Sequence, residues 1–170
     1  LRPHWRPGWD TAAVLGGGAT ARSTLLALAD LGVRRARLYL RTPARGAEVA
    51  DWAAAIGLAT GIELRPLPQW GAGDEPVVVS ALPPVPGVAD GLTTSRDGLL
   101  FDVVYADWPT PLARAAERAG MTVVGGLELL LHQAARQFEL FTGVGAPLAA
   151  MRAAGLAALE GQPTSGGGAR

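Results

Sequence analysis

Gly16, Gly18 and Ala21 make a G-x-G-x-x-A pattern directly after the apolar run Thr11-Ala12-Ala13-Val14-Leu15. Residues Ser23 to Leu31 then carry leucine and alanine at helical spacing. Small residues between a strand and a helix let backbone N–H groups come close to a pyrophosphate, and the helix N-terminus adds favourable partial charge. The turn, with Ala19 and Thr20 inside it, is a candidate site for the diphosphate of a dinucleotide. A purely structural turn is the alternative in a chain with 23 glycines.

A second group of residues bears on which dinucleotide that would be. Ala36-Arg37-Leu38-Tyr39-Leu40 reads as the next strand, ending where a ribose-binding acid usually lies, about 20 residues past the glycines. Arg41-Thr42-Pro43-Ala44-Arg45 stands there instead. A carboxylate would accept from a free 2′-hydroxyl and repel a 2′-phosphate, whereas guanidinium groups and a threonine hydroxyl favour the phosphate. Arg41, Thr42 and Arg45 thus point to NADP rather than NAD, with an ordinary solvated loop as the plain alternative.

These groups need a scaffold, and strand candidates alternate with helix candidates along the chain. A helix is expected around Gly46 to Ile56 and a third strand near Ile62 to Arg65. Pro76 to Ser80 and Leu99 to Val104 read as the fourth and fifth strands. A helix from Pro111 to Ala119 leads to the sixth, Met121 to Val124. Continuous Val/Leu runs suit parallel strands covered on both faces. The expectation is an α/β fold: a doubly wound, six-stranded parallel Rossmann-like sheet ordered 3-2-1-4-5-6, with Val14, Leu38, Val78, Phe101 and Val123 buried in it. Two further helices, Leu127 to Phe141 and Ala146 to Leu159, follow the last strand. Residues 1–10 read as a lead-in, 11–160 as the domain and 161–170 as a disordered tail.

Composition narrows the function. The 170 residues carry 15 basic and 15 acidic side chains, which argues against a nucleic-acid or anionic-membrane surface. All 15 bases are arginine; lysine and asparagine do not occur. Without cysteine there is no disulfide frame or thiolate nucleophile, and two distant histidines offer no metal cluster. No apolar stretch is long enough to span a bilayer and no signal-peptide core is evident, so a cytoplasmic location is expected.

Four segments together resemble the shikimate dehydrogenase family. Val14 to Arg22 is similar to its glycine turn, and Arg41 to Arg45 to its N-R-T-x-x-R loop. Asp102-Val103-Val104-Tyr105 with Trp108 to Leu112 resembles its D-V-V-Y…T-P-L segment. Gly125 to Leu130, His132 to Ala135, Phe138 and Phe141-Thr142-Gly143 resemble its closing helix. The resemblance implies that Gly16, Gly18, Ala21 and Arg22 hold the pyrophosphate, and that Arg41, Thr42 and Arg45 hold the 2′-phosphate side. It puts Ser80, Ala81 and Leu82 under the nicotinamide ribose, Tyr105 and Gly126 beside the nicotinamide, and Gln133 on a substrate hydroxyl. On the residues alone, Tyr105 also reads as a core aromatic and Gln133 as a solvated helix residue.

Departures accompany the likeness. Leu40 replaces the asparagine of N-R-T, Ala19 the usual second glycine, Ser80 and Leu82 an Asn and a Thr, and Ala106-Asp107 an Asn-Pro. The family's catalytic lysine and aspartate come from an N-terminal substrate domain, and this chain holds no lysine. Hydride transfer at a carbonyl needs a proton donor at the oxygen. His132 is a poor candidate, because at helical spacing it faces away from Gln133. The expectation is the cofactor domain of an NADP-dependent shikimate dehydrogenase, with no catalytic residue and no metal of its own, whose substrate binds with the N-terminal domain. A quinate/shikimate-type dehydrogenase domain and a non-catalytic nucleotide-binding module are the alternatives.

Overall fold

The computed structural model describes residues 1–58, 60–71, 75–92 and 97–160; the side chains of residues 43–45 and 160 also lie outside the described residues. The expected disordered tail, 161–170, falls outside them as well.

Six strands form one parallel sheet in the order β3-β2-β1-β4-β5-β6. They are β1 Thr11–Leu15, β2 Arg35–Leu40, β3 Gly61–Pro66, β4 Val77–Ser80, β5 Leu99–Asp102 and β6 Thr122–Gly125. The helices are α1 Ala19–Asp30, α2 Pro43–Ala55, α3 Pro111–Arg118, α4 Gly126–Thr142 and α5 Leu148–Glu160. The topology agrees with the sequence expectation. Strand order reverses around β1, which pairs with β2 on one side and β4 on the other, with Leu15 opposite Tyr39 and Ser80.

Alternate residues of each central strand feed two cores. Val14, Leu38, Val79 and Leu99 meet Leu25 and Leu28 of α1 and Val49 of α2. Ala13, Leu15, Val78 and Leu100 meet Leu112, Ala113 and Ala116 of α3. Burial on both faces explains why the strands read as unbroken apolar runs. Val14, Leu38, Val78 and Phe101 are buried as expected, but Val123 is only half-buried. It lies in β6, which pairs with β5 and closes the sheet on that side.

The connections show where side-chain patterning misleads. α1 begins at Ala19, four residues before its apolar periodicity becomes visible. Between β4 and β5 the described residues hold only a 3-10 turn, Ala89–Gly91. Pro83, Pro84 and Pro86 precede it, and proline lacks the N–H a helix needs. The lead-in is packed rather than loose: Leu1, Trp5 and Trp9 rest on the α1-side core, and the two indoles meet edge to face at 5.6 Å.

α5 is fastened to α4 by charge. Arg152 donates Nε and Nη2 to the two Glu128 carboxylate oxygens at 2.9 and 2.6 Å. The Arg152 hydrogen bond holds the Glu128 carboxyl below its ordinary value. Its folded value therefore lies below its unfolded one, so this stability is present above the usual glutamate range near about 4.3 and is lost as pH falls through the lower folded value. Both side chains are more than a third exposed, so solvent screening keeps the contribution small. In thermal unfolding, Arg152→Met should lower stability slightly near pH 6, and the difference from the unaltered chain should shrink as pH falls below the usual glutamate range.

Candidate functional site

The carboxyl edge of the sheet, where strand order reverses, gathers the glycine turn. Gly16 has φ +110°, a left-handed conformation that only glycine adopts cheaply. Its N–H donates to the Tyr39 carbonyl at 3.0 Å, while Ala81 N–H donates to the Leu15 carbonyl at 2.8 Å. A β-carbon on Gly16 would stand 3.1 Å from the Ala81 carbonyl oxygen. Gly18 differs in kind. It has ordinary φ −83°, forms the N-cap of α1 without a side-chain cap, and a β-carbon there would meet nothing within 4 Å. The result is an open helix N-terminus fed by a turn that no side chain fills, the geometry that accepts an anion.

The remaining turn residues divide by orientation. Ala19 and Thr20 are exposed at the first turn of α1, whereas Ala21 is fully buried in the α1-side core. Its small size serves helix–sheet packing, and its side chain does not face a diphosphate. The Arg22 guanidinium is engaged on the α2 side, 5.8 Å from the Trp52 ring centroid and 3.9 Å from a Glu48 carboxylate oxygen. Gly17, Gly18, Ala19, Arg22, Glu48 and Trp52 are among the walls of a cleft of about 610 Å³.

At the end of β2, Arg41 and Thr42 are exposed, Thr42 being the N-cap of α2. The Arg45 side chain lies outside the described residues. Leu40, which replaces a polar residue of the family pattern, is buried in the α1-side core at 3% exposure, so it faces no ligand at this edge.

Thr20 and Gln133 come together across a second cleft of about 460 Å³, walled also by Ser23, Phe101, Val103 and Leu129. His132 turns the other way, with Nε2 3.9 Å from a Glu128 carboxylate oxygen. A third cleft of about 330 Å³ runs past Ser80 and Leu82 at the end of β4 to Asp102 and Thr110. Tyr105 sits in the segment after β5, 47% exposed rather than in the core. Gly126 is buried where α4 leaves β6, and its N–H donates to the Val104 carbonyl at 3.0 Å. A β-carbon there would overlap the Val103 carbonyl oxygen, so glycine is required by backbone packing, whatever binds nearby. No group of acids and histidines suited to a metal ion occurs among the described residues.

Sequence reasoning overlooked Ser23, Trp52 and Leu129. Helical spacing from Thr20 and from Gln133 could have marked Ser23 and Leu129; nothing local marks Trp52.

Residues 126–154 match the family model described as the shikimate 5′-dehydrogenase C-terminal domain. The shikimate dehydrogenase (NADP(+)) of Sinorhizobium medicae is 36% identical over 146 residues, covering 81% of this chain and 50% of that protein. Among solved structures, the shikimate dehydrogenase of Mycobacterium tuberculosis is 38% identical with a TM-score of 0.73, covering 88% of this chain and 56% of that one. The quinate dehydrogenase of Corynebacterium glutamicum, solved in complex with NAD, is 26% identical with a TM-score of 0.76, covering 88% and 55%. The chain spans about half the length of the relatives it matches.

The two turn glycines should separate experimentally. Gly16→Ala is expected to cost about 1–3 kcal/mol in urea unfolding, from positive φ and crowding. Gly18→Ala, with open space before it, should cost less than about 1 kcal/mol.

Proposed function

Because this chain is a homologue of the C-terminal region of the shikimate dehydrogenases, we propose that residues 11–160 are the NADP-binding domain of such an enzyme, with residues 1–10 leading into it. The observation that carries the reading is the open α1 N-terminus at the strand-order reversal, with Arg41 and Thr42 at the end of β2 where an NAD site would present an acid. In this assignment the backbone N–H groups of Gly18, Ala19 and Thr20 bind the diphosphate, while Gly16, whose N–H is spent on the Tyr39 carbonyl, shapes the turn. Arg41, Thr42 and Arg45 bind the 2′-phosphate, and Arg22 closes the adenosine side against Trp52. Ala21 contributes by letting α1 approach the sheet.

NADPH supplies a hydride when bound, and the parent enzyme uses it to reduce 3-dehydroshikimate to shikimate. Ser80, Ala81 and Leu82 support the nicotinamide ribose at the end of β4. Tyr105 borders the nicotinamide while Gly126 keeps the backbone tight beneath it. Gln133 reaches a substrate hydroxyl from the cleft it shares with Thr20. The proton for the reacting oxygen comes from outside these residues, since the chain has no lysine and His132 faces Glu128. The same reading puts the parent enzyme in chorismate and aromatic amino-acid biosynthesis in the cytoplasm. A quinate dehydrogenase is the second reading, favoured by the likeness to the C. glutamicum enzyme.

Cofactor choice tests the assignment. NADPH should bind more tightly than NADH in titration calorimetry, and Arg41→Ala should remove most of the difference. One lost charge-assisted hydrogen bond costs roughly 1.5–3 kcal/mol, on the order of 10- to 100-fold in affinity. Equal affinities of the unaltered chain for both cofactors would refute the arginine assignment.

Turnover gives a second test. The purified 170-residue chain, saturated with NADP and supplied with shikimate, should form NADPH at least about 10²- to 10⁴-fold more slowly than a complete dehydrogenase, for want of a positioned general base. Normal rates from the chain alone would show that one of its own residues serves as that base.

A further inference from the structure

Asp102 closes β5 with only 2% of its surface exposed, and its carboxylate ties three segments together. Oδ2 accepts from the Thr110 hydroxyl at 2.7 Å, and Oδ1 accepts from the Val104 N–H at 3.3 Å. Ser80, its register partner at the end of β4, stands beside it and favours its charged form. Thr110 is itself committed, its oxygen accepting the Ala113 N–H at 3.0 Å as the cap of α3. Residues 103–109 therefore leave and return to a single buried side chain. Val104 is held twice, by Asp102 at its N–H and by Gly126 N–H at its carbonyl. Tyr105 follows one Cα step later, about 3.8 Å from that anchored residue.

We infer that Asp102 and Thr110 form a clamp that positions the 103–109 segment, and with it Tyr105, at the nicotinamide end of the cofactor. The inference rests on the dinucleotide-binding reading above. Asp102 is a positioning residue: buried to 2% exposure, it acts through the backbone it holds. Burial raises its carboxyl, so the hydroxyl and amide donors are what offset the desolvation of its charged form. Removal of one donor leaves a buried acceptor unsatisfied, and the segment gains freedom at the end where Tyr105 must be placed.

The adenine and nicotinamide halves of the ligand separate this role from general destabilisation. Calorimetry on the full chain would compare NADPH with 2′,5′-ADP, which lacks the nicotinamide half. Hydrogen exchange of the amides of residues 103–108 would be followed without ligand. Thr110→Val should weaken NADPH about tenfold, leave 2′,5′-ADP within about twofold, and speed exchange of the segment about tenfold. Thr110→Ser, which keeps the hydroxyl, should restore all three. Asp102→Asn, of the same size, should follow Thr110→Val in direction and serves in its place if that variant does not fold. Equal weakening of both ligands, or unchanged exchange in 103–108, overturns the clamp. If the unaltered chain binds neither ligand, the cofactor assignment falls, and accelerated or unchanged exchange still decides the clamp.

Discussion

The carboxyl edge between β1 and β4 is crowded at the level of the backbone, and the rest of the site follows from that crowding. Leu15 and Ala81 are hydrogen-bonded across it, and Gly16 turns with positive φ in a space that a β-carbon would share with the Ala81 carbonyl. Any larger residue would push the turn outward and shift the start of α1. The helix that follows can then begin at Ala19 with its first N–H groups directed to an open cleft instead of to a side-chain cap. A steric limit within the protein thus leaves room beside it for a ligand.

A second backbone approach balances the first. α4 begins so close to the segment after β5 that Gly126 cannot carry a β-carbon, and the Gly126–Val104 hydrogen bond fixes the distance. Thr20 on α1 and Gln133 on α4 face the cleft between these two constraints. Side chains in α4 sort by helical phase: Gln133 turns to the cleft, and His132 turns to Glu128, whose carboxylate also receives Arg152 from α5. The ionic fastening of α5 therefore lies on a different face of α4 from the cleft-lining glutamine.

Much of the fold was legible because each central strand is buried on both sides. Val14 and Val78 sit in unbroken apolar runs, Leu38 follows Arg37 in a strand that ends in three buried residues, and the helices between them have clear spacing. Val123 was harder, since an edge strand retains the same letters without the same cover. The start of α1 was hidden because its first residues are small and exposed. Ala21 occupies a fingerprint position that looks ligand-facing in sequence, yet its methyl group points into the core. The packing of Trp5 and Trp9 onto the α1-side core and the approach of Ser80 to Asp102 have no local signature. They depend on which elements become neighbours, a property that no short window contains.

The same neighbour relation bears on how the chain assembles. β1 and β2 come together across a short helical connection, whereas β1 and β4 pair only after some sixty intervening residues have been brought round, Ala12 to Val77 being the first match. Closing a longer loop costs more conformational entropy, though the cost rises only logarithmically. The two halves of the sheet thus meet along a seam between β1 and β4, and the glycine turn lies at its end. A small molecule spanning the turn after β1 and the segment after β4 would act as a staple across that seam. It would stabilise the union of the halves more than either half alone.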